Sequence, residues 1–296
     1  MDQLLVLLTG MLTAVMISIN GSLTASVGMY PSAVMIHLVG VCFSLMLCLW
    51  KRERIFVRRN VPLWSYLGGA IGVLTLLFNN YSFAYLSMTG IVALALFGQC
   101  VSSNIIDSFG LFGMTKRPMS KAAWTGMLLS CVGIAIMLSG SGVTSLLPTL
   151  LSLCAGITIV LSRTVNSKLA ATTGAMTGSF FNHLIGLPFC ILLLLIMPKE
   201  TMDLSSFQPW MLLGGAFGVT TVFLQNITVS KVAGLRLTML SFVGQIFTGI
   251  ALDLMTGKAS SPQLFYGSLV VGIGLLAGMA MEWKEERSQV SVTKIG

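Results

Sequence analysis

Long apolar stretches follow one another along almost the whole chain, and short segments rich in charge, proline or glycine separate them. Most stretches approach the about 20 residues that an apolar helix needs to cross the hydrocarbon core of a bilayer. They predict helices near residues 4–22, 31–50, 62–82, 88–108, 121–140, 145–163, 173–197, 209–230, 235–255 and 265–283. The pattern therefore predicts an all-α integral membrane protein with ten transmembrane helices.

The pattern occurs twice, with a spacing of 146 residues between the two copies. The phrase "WSYLGGAIGV" starts at residue 64 and "WMLLGGAFGV" at residue 210, and seven of these ten positions are identical. Further matches at this spacing are Asn20 with Asn166, "HLVG" at 37–40 with "HLIG" at 183–186, Asn80 with Asn226, "GQ" at 98–99 with "GQ" at 244–245, and Asp107 with Asp253. The second copy is then about five residues shorter, so that Gly126 and Gly133 match Gly267 and Gly274.

Each copy contains five predicted helices, and an odd number makes the second copy enter the membrane from the opposite side. The predicted units are a first repeat at 1–143, a second, inverted repeat at 144–283, and a cytoplasmic tail at 284–296 that is expected to be disordered. Inverted repeats are typical of secondary transporters, whose substrate site lies near the bilayer midplane at the repeat interface. The organisation therefore favours a transporter over an enzyme.

Composition and charge agree with this interpretation. Hydrophobic residues make up 55% of the chain and charged residues 9%, whereas a soluble domain has about 25% charged residues. Ten crossings place both termini on one face, and the loops of that face carry fifteen of the seventeen lysines and arginines, all except Lys199 and Lys258. The positive-inside rule makes that face cytoplasmic. The basic run "KRERIFVRRN" is then a loop near anionic lipid headgroups rather than a nucleic-acid site.

Polar side chains inside predicted helices are candidates for a substrate pathway, because a buried amide in lipid must face a protein partner or a wet cavity. The candidates are Asn20, Asn80, Gln99, Ser103, Asn166, Asn226 and Gln245. For the two glutamines, an interhelical hydrogen bond and a pathway role both stay open. Asn20 and Asn166 are also expected to cap or break the first and sixth helices at their ends.

Two glycine pairs in the repeated phrase have the spacing that lets helix backbones approach closely, namely Gly68 with Gly72 and Gly214 with Gly218. An alternative interpretation, compatible with the first, is that these glycines leave room for substrate beside the backbone.

Four titratable residues at repeat-matched positions are candidates for proton coupling, namely Asp107, Asp253, His37 and His183. Each Asp lies near the C-terminal end of its helix, where an acid opposes the helix dipole and needs compensation. The two hypotheses are a carboxylate paired with backbone N–H groups or a basic neighbour, and a proton carrier. For the histidines, the alternatives are a hydrogen-bonded structural residue and a proton relay.

Arg163 breaks the repeat, because its partner position is Ile17. The long side chain of Arg163 is expected to reach the cytoplasmic surface. A role in holding an anionic substrate is the weaker alternative. The near absence of fixed charge favours a neutral or weakly polar solute, or a hydrophobic cation held by the two acids.

Several kinds of site are not predicted. The six cysteines form no CxxC pair and only two histidines are present, so neither a metal nor a cofactor is expected. No GxxxxGK[ST] or HExxH motif occurs, and the chain begins without a basic n-region, so a cleaved signal peptide is not expected.

The segments "WSYLGGAIGV", "FGQCVSSNIIDSFGLFG" and "KRPMS" resemble the YdcZ-type family of the drug/metabolite transporter superfamily. The resemblance covers the whole chain and is most specific at 64–113; in the second half Asp253 is followed by "LMTGK" and lacks the F-G of the first. Many members have one five-helix unit, and this chain resembles a fused two-unit form.

What the resemblance implies is an exporter of a drug or small metabolite in the inner membrane of a bacterium. The sequence favours alternating access in membrane lipid, with proton coupling as a hypothesis and a passive channel for a small polar solute as the alternative. The expected partners are a small-molecule substrate, lipid and protons, with no nucleic acid, and a homodimer is left open.

Overall fold

The chain forms ten α-helices, and no strand, within the residues that the computed structural model describes. These residues are 2–53, 55, 61–113, 116, 121–139, 146–198, 200, 203–229, 231–232, 234–257 and 262–293. The helices are α1 (Asp2–Val27), α2 (Met29–Trp50), α3 (Gly68–Phe83), α4 (Met88–Phe109), α5 (Lys121–Ser139), α6 (Leu146–Thr173), α7 (Ala175–Ile196), α8 (Leu213–Thr228), α9 (Gly234–Thr256) and α10 (Pro262–Thr293). One-turn 3-10 helices occupy Leu63–Tyr66, Leu111–Gly113 and Pro209–Leu212. The prediction of an all-α protein is confirmed.

Six helical segments are long and apolar enough to cross a membrane by length and composition. They are Asp2–Val27, Met29–Trp50, Met88–Phe109, Leu146–Thr173, Ala175–Ile196 and Pro209–Thr228. Shorter apolar stretches lie in α5, α9 and α10, at Trp124–Ile136, Leu240–Thr256 and Phe265–Gly278. The chain is therefore a multi-pass membrane protein.

Three expectations about helix ends were wrong. Asn20 and Asn166 do not end their helices, because α1 continues to Val27 and α6 to Thr173. The segment after residue 283 is not disordered up to Thr293, because α10 continues through it. Both asparagine side chains are buried inside the protein, where Asn20 contacts Gly214 of α8 and Asn166 contacts Gly68 of α3.

Two pairs of equivalent helices, α2 with α7 and α5 with α10, pack against each other in an antiparallel sense. On α2 and α7, Gly40 lies against the ring of His183, and Gly186 lies against the ring of His37. His37, nearer the start of α2, thus contacts Gly186, nearer the end of α7. The pair α5 and α10 has the same arrangement, with Gly126 beside Gly274 and Gly133 beside Gly267.

Contacts between non-equivalent helices are also duplicated at the 146-residue spacing. Gly10 of α1 packs on the backbone of Ser241 in α9, and Gly156 of α6 packs on the backbone of Ala95 in α4. The next turn repeats the match, because Gly244 lies against Leu7 and Gly98 against Leu153. The pattern of contacts is therefore unchanged when the two halves of the chain are exchanged.

The apolar core surrounds α4, whose side chains are buried at almost every position from Met88 to Ile106. Side chains of α1, α9 and α10 pack on α4, among them Ile17, Phe242 and Val271. Because α4 is enclosed by protein, its polar residues lie inside the molecule and not toward lipid.

Candidate substrate cavity

A cavity of about 130 Å³, measured for the centres of water-sized molecules, lies between the two halves of the chain. This is several times the about 10–15 Å³ that one water requires, so it has room for a small solute. Residues of α1, α2, α3 and α4 line it together with residues of α6, α7, α8 and α9.

The lining follows the sequence repeat. Twenty of the 23 described residues that line the cavity form ten pairs separated by 146 positions. The pairs are Thr13 with Ile159, Met16 with Ser162, Ile17 with Arg163, Ile36 with Asn182, His37 with His183, Gly72 with Gly218, Thr75 with Thr221, Leu76 with Val222, Asn79 with Gln225, and Gln99 with Gln245. Asn20, Asn80 and Ser241 complete the lining. Both halves therefore contribute equivalent surfaces to one cavity.

The two histidines face each other where α2 crosses α7. Their ring centroids lie 5.7 Å apart, and both rings line the cavity. Nδ1 of His37 is 3.0 Å from the carbonyl oxygen of Ala33, and Nδ1 of His183 is 3.0 Å from that of Ser179. A carbonyl oxygen can only accept, so Nδ1 carries the hydrogen in both rings and Nε2 is the nitrogen that can take up a proton.

Arg163 lies inside the protein, which corrects the expectation that it reaches the membrane surface. Arg163 is 5% exposed, and one terminal nitrogen of its guanidinium donates to Oε1 of Gln99 at 3.2 Å. The other terminal nitrogen donates to Oγ of Ser103 at 3.0 Å and Oγ1 of Thr238 at 2.7 Å. These partners come from α4 and α9, and they hold the side chain at the wall of the cavity.

The amide of Gln99 has a fixed orientation because only its oxygen can accept from Arg163. Its Nε2 group is buried and has no hydrogen-bond partner within the described part of the chain. Both amide atoms of Asn80 are likewise buried without a partner there. A buried donor without a partner is costly, so a small side-chain movement that brings a solute or water within reach of these groups would be favourable.

In each repeated phrase, one glycine allows close helix packing and the other lines the cavity. A side chain at Gly68 would meet the amide of Asn166, and one at Gly214 would meet the amide of Asn20. These first glycines of each phrase thus serve close packing between α3 and α6 and between α8 and α1. The glycines four residues later line the cavity, and they give it space.

Asp253 accepts three hydrogen bonds at the start of α4 and does not line the cavity. Its carboxylate accepts from the backbone N–H groups of Met88 at 2.8 Å and Thr89 at 2.9 Å. The hydroxyl of Thr89 also donates to it, at 2.6 Å. The N–H groups at the start of a helix have no partner within the helix. The geometry therefore matches the hypothesis of a carboxylate paired with backbone groups.

Asp107 does not line the cavity. It lines a smaller pocket of about 20 Å³, formed by α4, α6, α9 and the segment that follows α8. Arg163 lines both this pocket and the central cavity. Arg163 is therefore shared by the two pockets, and its charge is attracted by Asp107.

The structure brings together six of the eleven predicted site residues around the cavity. They are Asn20, Asn80, Gln99, Gln245, His37 and His183. Ser103 stands behind the cavity as a partner of Arg163. Asn166 donates to Oδ1 of Asn182 at 2.8 Å, and Asn226 donates to the carbonyl of Ala175 at 3.0 Å. The lining of the cavity does not include Asn166, Asn226, Asp107 or Asp253.

Arg163 is the cavity residue that the sequence interpretation misplaced. The available signal was the broken match with Ile17, since a charge at only one of two equivalent positions indicates a task that the other half does not share. At two further matched positions the second half again has the polar residue and the first half the apolar one, namely Asn182 with Ile36 and Ser162 with Met16.

Comparison with known proteins identifies the family. The sequence model of a family described as "Putative inner membrane exporter, YdcZ" matches this chain twice, at residues 3–136 and 147–281. No curated protein matches the chain. A solved structure described as "Crystal structure of protein" is similar with a TM-score of 0.63 at 14% identity, and the match covers 96% of this chain and 97% of that one. That identity shows a shared fold alone. The chain belongs to the YdcZ family of inner membrane exporters, with two copies of the family's unit in one polypeptide.

Proposed function

We propose that this protein is a secondary transporter that exports a small solute by alternating access through the central cavity. The observation that carries the proposal is the cavity itself, which lies between the two halves and is lined by repeat-matched residues from both. Secondary transporters with inverted repeats bind substrate at such an interface.

The packing supports inverted repeats at 1–143 and 144–283. An operation that exchanges α2 with an antiparallel α7 must have its two-fold axis perpendicular to those helices. If all ten helices span the bilayer, that axis lies in the membrane plane. Exchanging the halves then exchanges the two membrane faces, so a cavity open to one face has a counterpart open to the other.

Six segments are long and apolar enough to cross the membrane, and the structure supports four further crossings by α3, α5, α9 and α10. The 3-10 turn at Leu63–Tyr66 directly precedes α3, as the turn at Pro209–Leu212 precedes α8. With ten crossings, the distribution of lysine and arginine places both termini and the segment after residue 283 in the cytoplasm.

Cysteine accessibility tests this topology. In a variant whose six native cysteines are replaced by alanine, a single cysteine is introduced at Lys51 or Met197, two exposed residues that directly follow α2 and α7. A membrane-impermeant thiol reagent is expected to label Lys51→Cys from the cytoplasmic face and Met197→Cys from the other. Lys231, which pairs with Asp2 at 3.8 Å, supplies a same-face control for Lys51. Labelling of both test positions from one face would contradict inverted repeats.

The same background tests alternating access. A cysteine at Thr75 or Thr221, which line the cavity at matched positions, is expected to react with a small hydrophilic reagent from either face. A cysteine at Leu128, which is 64% exposed on α5, should stay unlabelled because that surface faces lipid. Accumulation of labelled solute in counterflow, which a carrier supports and a passive channel does not, separates those two functions. Access from one face alone would refute alternating access.

The facing histidines make the cavity a candidate for proton coupling. Each ring has Nε2 available for a proton, and two imidazolium groups 5.7 Å apart would repel each other. One proton per pair is therefore favoured over two. The pair is a better-placed carrier than Asp253, whose oxygens already accept three hydrogen bonds.

Replacing both histidines with asparagine is expected to reduce solute flux driven by a pH gradient at least about tenfold, because the coupling group is lost. Counterflow, which needs no net proton movement, should persist. The measurement uses proteoliposomes and a solute that stabilises the purified protein. Asp107→Asn, assayed in parallel, tests the alternative carrier. Full gradient-driven flux in the double histidine variant would remove the pair from the mechanism.

A further inference from the structure

We propose that the central cavity binds a small organic carboxylate, with Arg163 as the residue that anchors the carboxylate group. The proposal rests on the proposed transport function and names the chemical class of the solute. It replaces the expectation of a neutral or cationic solute.

The first argument is the buried charge of Arg163, whose direct hydrogen-bond partners are neutral. Its hydrogen-bond partners are an amide oxygen and two hydroxyls, and all three are neutral. Asp107 attracts the guanidinium from the smaller pocket, but among the described residues no carboxylate oxygen forms an ion pair with it within 4.0 Å. Taking a cation out of water costs several kcal/mol unless an opposite charge compensates it. An anionic ligand would supply that compensation when it binds.

The second argument is the set of hydrogen-bond donors in the residues that line the same cavity. The three bonds of Arg163 use three of the five N–H groups of a guanidinium. Gln99 adds its unpartnered Nε2 group, whose orientation is set by the bond from Arg163, and Asn80 adds an unpartnered Nδ2 group. All three residues are at least nine-tenths buried and line the cavity. A carboxylate, with two oxygens that accept several hydrogen bonds, fits this set of donors.

The third argument is the absence of a competing acid. The described residues that line the cavity include amides, hydroxyls and two imidazoles, but neither Asp nor Glu. Asp107 lies beyond Arg163 in the smaller pocket. Among the described residues that line the cavity, Arg163 is therefore the one with a fixed charge, and that charge favours an anionic over a cationic solute.

The first half contributes more apolar side chains to the cavity than the second. Of the four matched positions that differ in polarity, three have the polar residue in the second half, namely Ser162 opposite Met16, Arg163 opposite Ile17, and Asn182 opposite Ile36, and one has it in the first half, namely Thr13 opposite Ile159. A solute whose carboxylate contacts Arg163 would direct its body toward the apolar side chains. The geometry points to a small carboxylate with an apolar or weakly polar body rather than to an inorganic anion.

A ligand series tests this on the full-length wild-type protein in detergent. Benzoate, benzamide and benzylamine share one ring and differ in charge, and inorganic phosphate is an anion without an apolar body. We expect benzoate to raise the unfolding temperature and to bind, in calorimetry, at least about tenfold more tightly than benzamide. Benzylamine and phosphate should give no stabilisation. Equal or tighter binding of benzylamine, or no binding of benzoate, would overturn the proposal.

Variants then test the anchor. Arg163→Gln is expected to weaken benzoate binding at least about tenfold, whereas Arg163→Lys keeps the charge without the planar fork and should fall between. Lys231→Gln removes an equal charge from an exposed residue outside the cavity and should bind as wild type. Unchanged benzoate binding by Arg163→Gln would overturn the anchor role. If Arg163→Gln does not fold, the ligand series on the wild-type protein and the benzoate affinity of Arg163→Lys test the proposal instead.

The two proposals fail in different ways. Loss of two-sided access at Thr75 and Thr221 would refute the transport mechanism whatever the ligand. A cation-selective cavity that still alternates would refute the carboxylate proposal and leave the transporter intact.

Discussion

Replacing Gly156 with alanine is expected to prevent the chain from folding to a monodisperse protein. Gly156 of α6 packs directly on the backbone of α4, and a methyl group there would fall on the carbonyl oxygen of Ala95 and near the amide nitrogen of Gln99. Backbone atoms cannot rotate away as a flexible side chain can. Because α4 is enclosed by the core, the helices would have to separate, at a cost of about 3 kcal/mol or more.

Fluorescence-detected size exclusion of detergent extracts, followed by thermal unfolding, measures this effect. Gly72→Ala is the matched control, because a methyl group on that helical glycine would have Ser162 Oγ as its nearest neighbour at 3.7 Å, an ordinary contact. The control is expected to fold normally. A Gly156→Ala protein as stable as Gly72→Ala would mean that α4 and α6 do not approach as closely as described.

The second large effect is expected from Asp253→Ala, which should lower the free energy of unfolding by about 3 kcal/mol. The substitution leaves the N–H groups of Met88 and Thr89 without their acceptor at a buried helix start. In a membrane protein, water does not readily replace such a partner. Thermal unfolding in detergent, with and without a stabilising solute, measures the loss.

Asp203→Ala is a suitable control, because Asp203 is an exposed acid whose carboxylate accepts hydrogen bonds from Ser205 in its own loop. We expect that variant to change stability by less than about 0.5 kcal/mol. The experiment also separates the two hypotheses for Asp253. Wild-type stability combined with lost gradient-driven flux would make Asp253 a proton carrier and contradict the structural role.

The sequence predicted the fold well, because the signals involved are local and repeated. Long apolar stretches specify helices in lipid without reference to tertiary contacts, and a match at 146 residues relates one half to the other. The paired amides and histidines that line the cavity, such as Gln99 with Gln245, were found because polar residues inside apolar stretches are rare enough to stand out.

The position of Arg163 could not be predicted by the same means. Hydropathy ends a span at the first charge, and the predicted sixth helix therefore stopped at residue 163, whereas α6 continues for ten residues to Thr173. The guanidinium is held inside by hydrogen-bond partners on α4 and α9, which lie 60 to 75 residues away along the chain. The same limit applies to Asn20, whose surroundings come from α3 and α8.

The single arginine opposite Ile17 has a consequence for how such a protein can be encoded. Two identical subunits made from one gene would place an arginine on both sides of the dimer axis, or on neither. Two guanidinium groups desolvated in one small chamber would repel each other, and none would leave the chamber neutral. Joining the subunits after gene duplication lets one copy change alone, so that one of the residues described around the chamber carries a positive charge, placed off its axis.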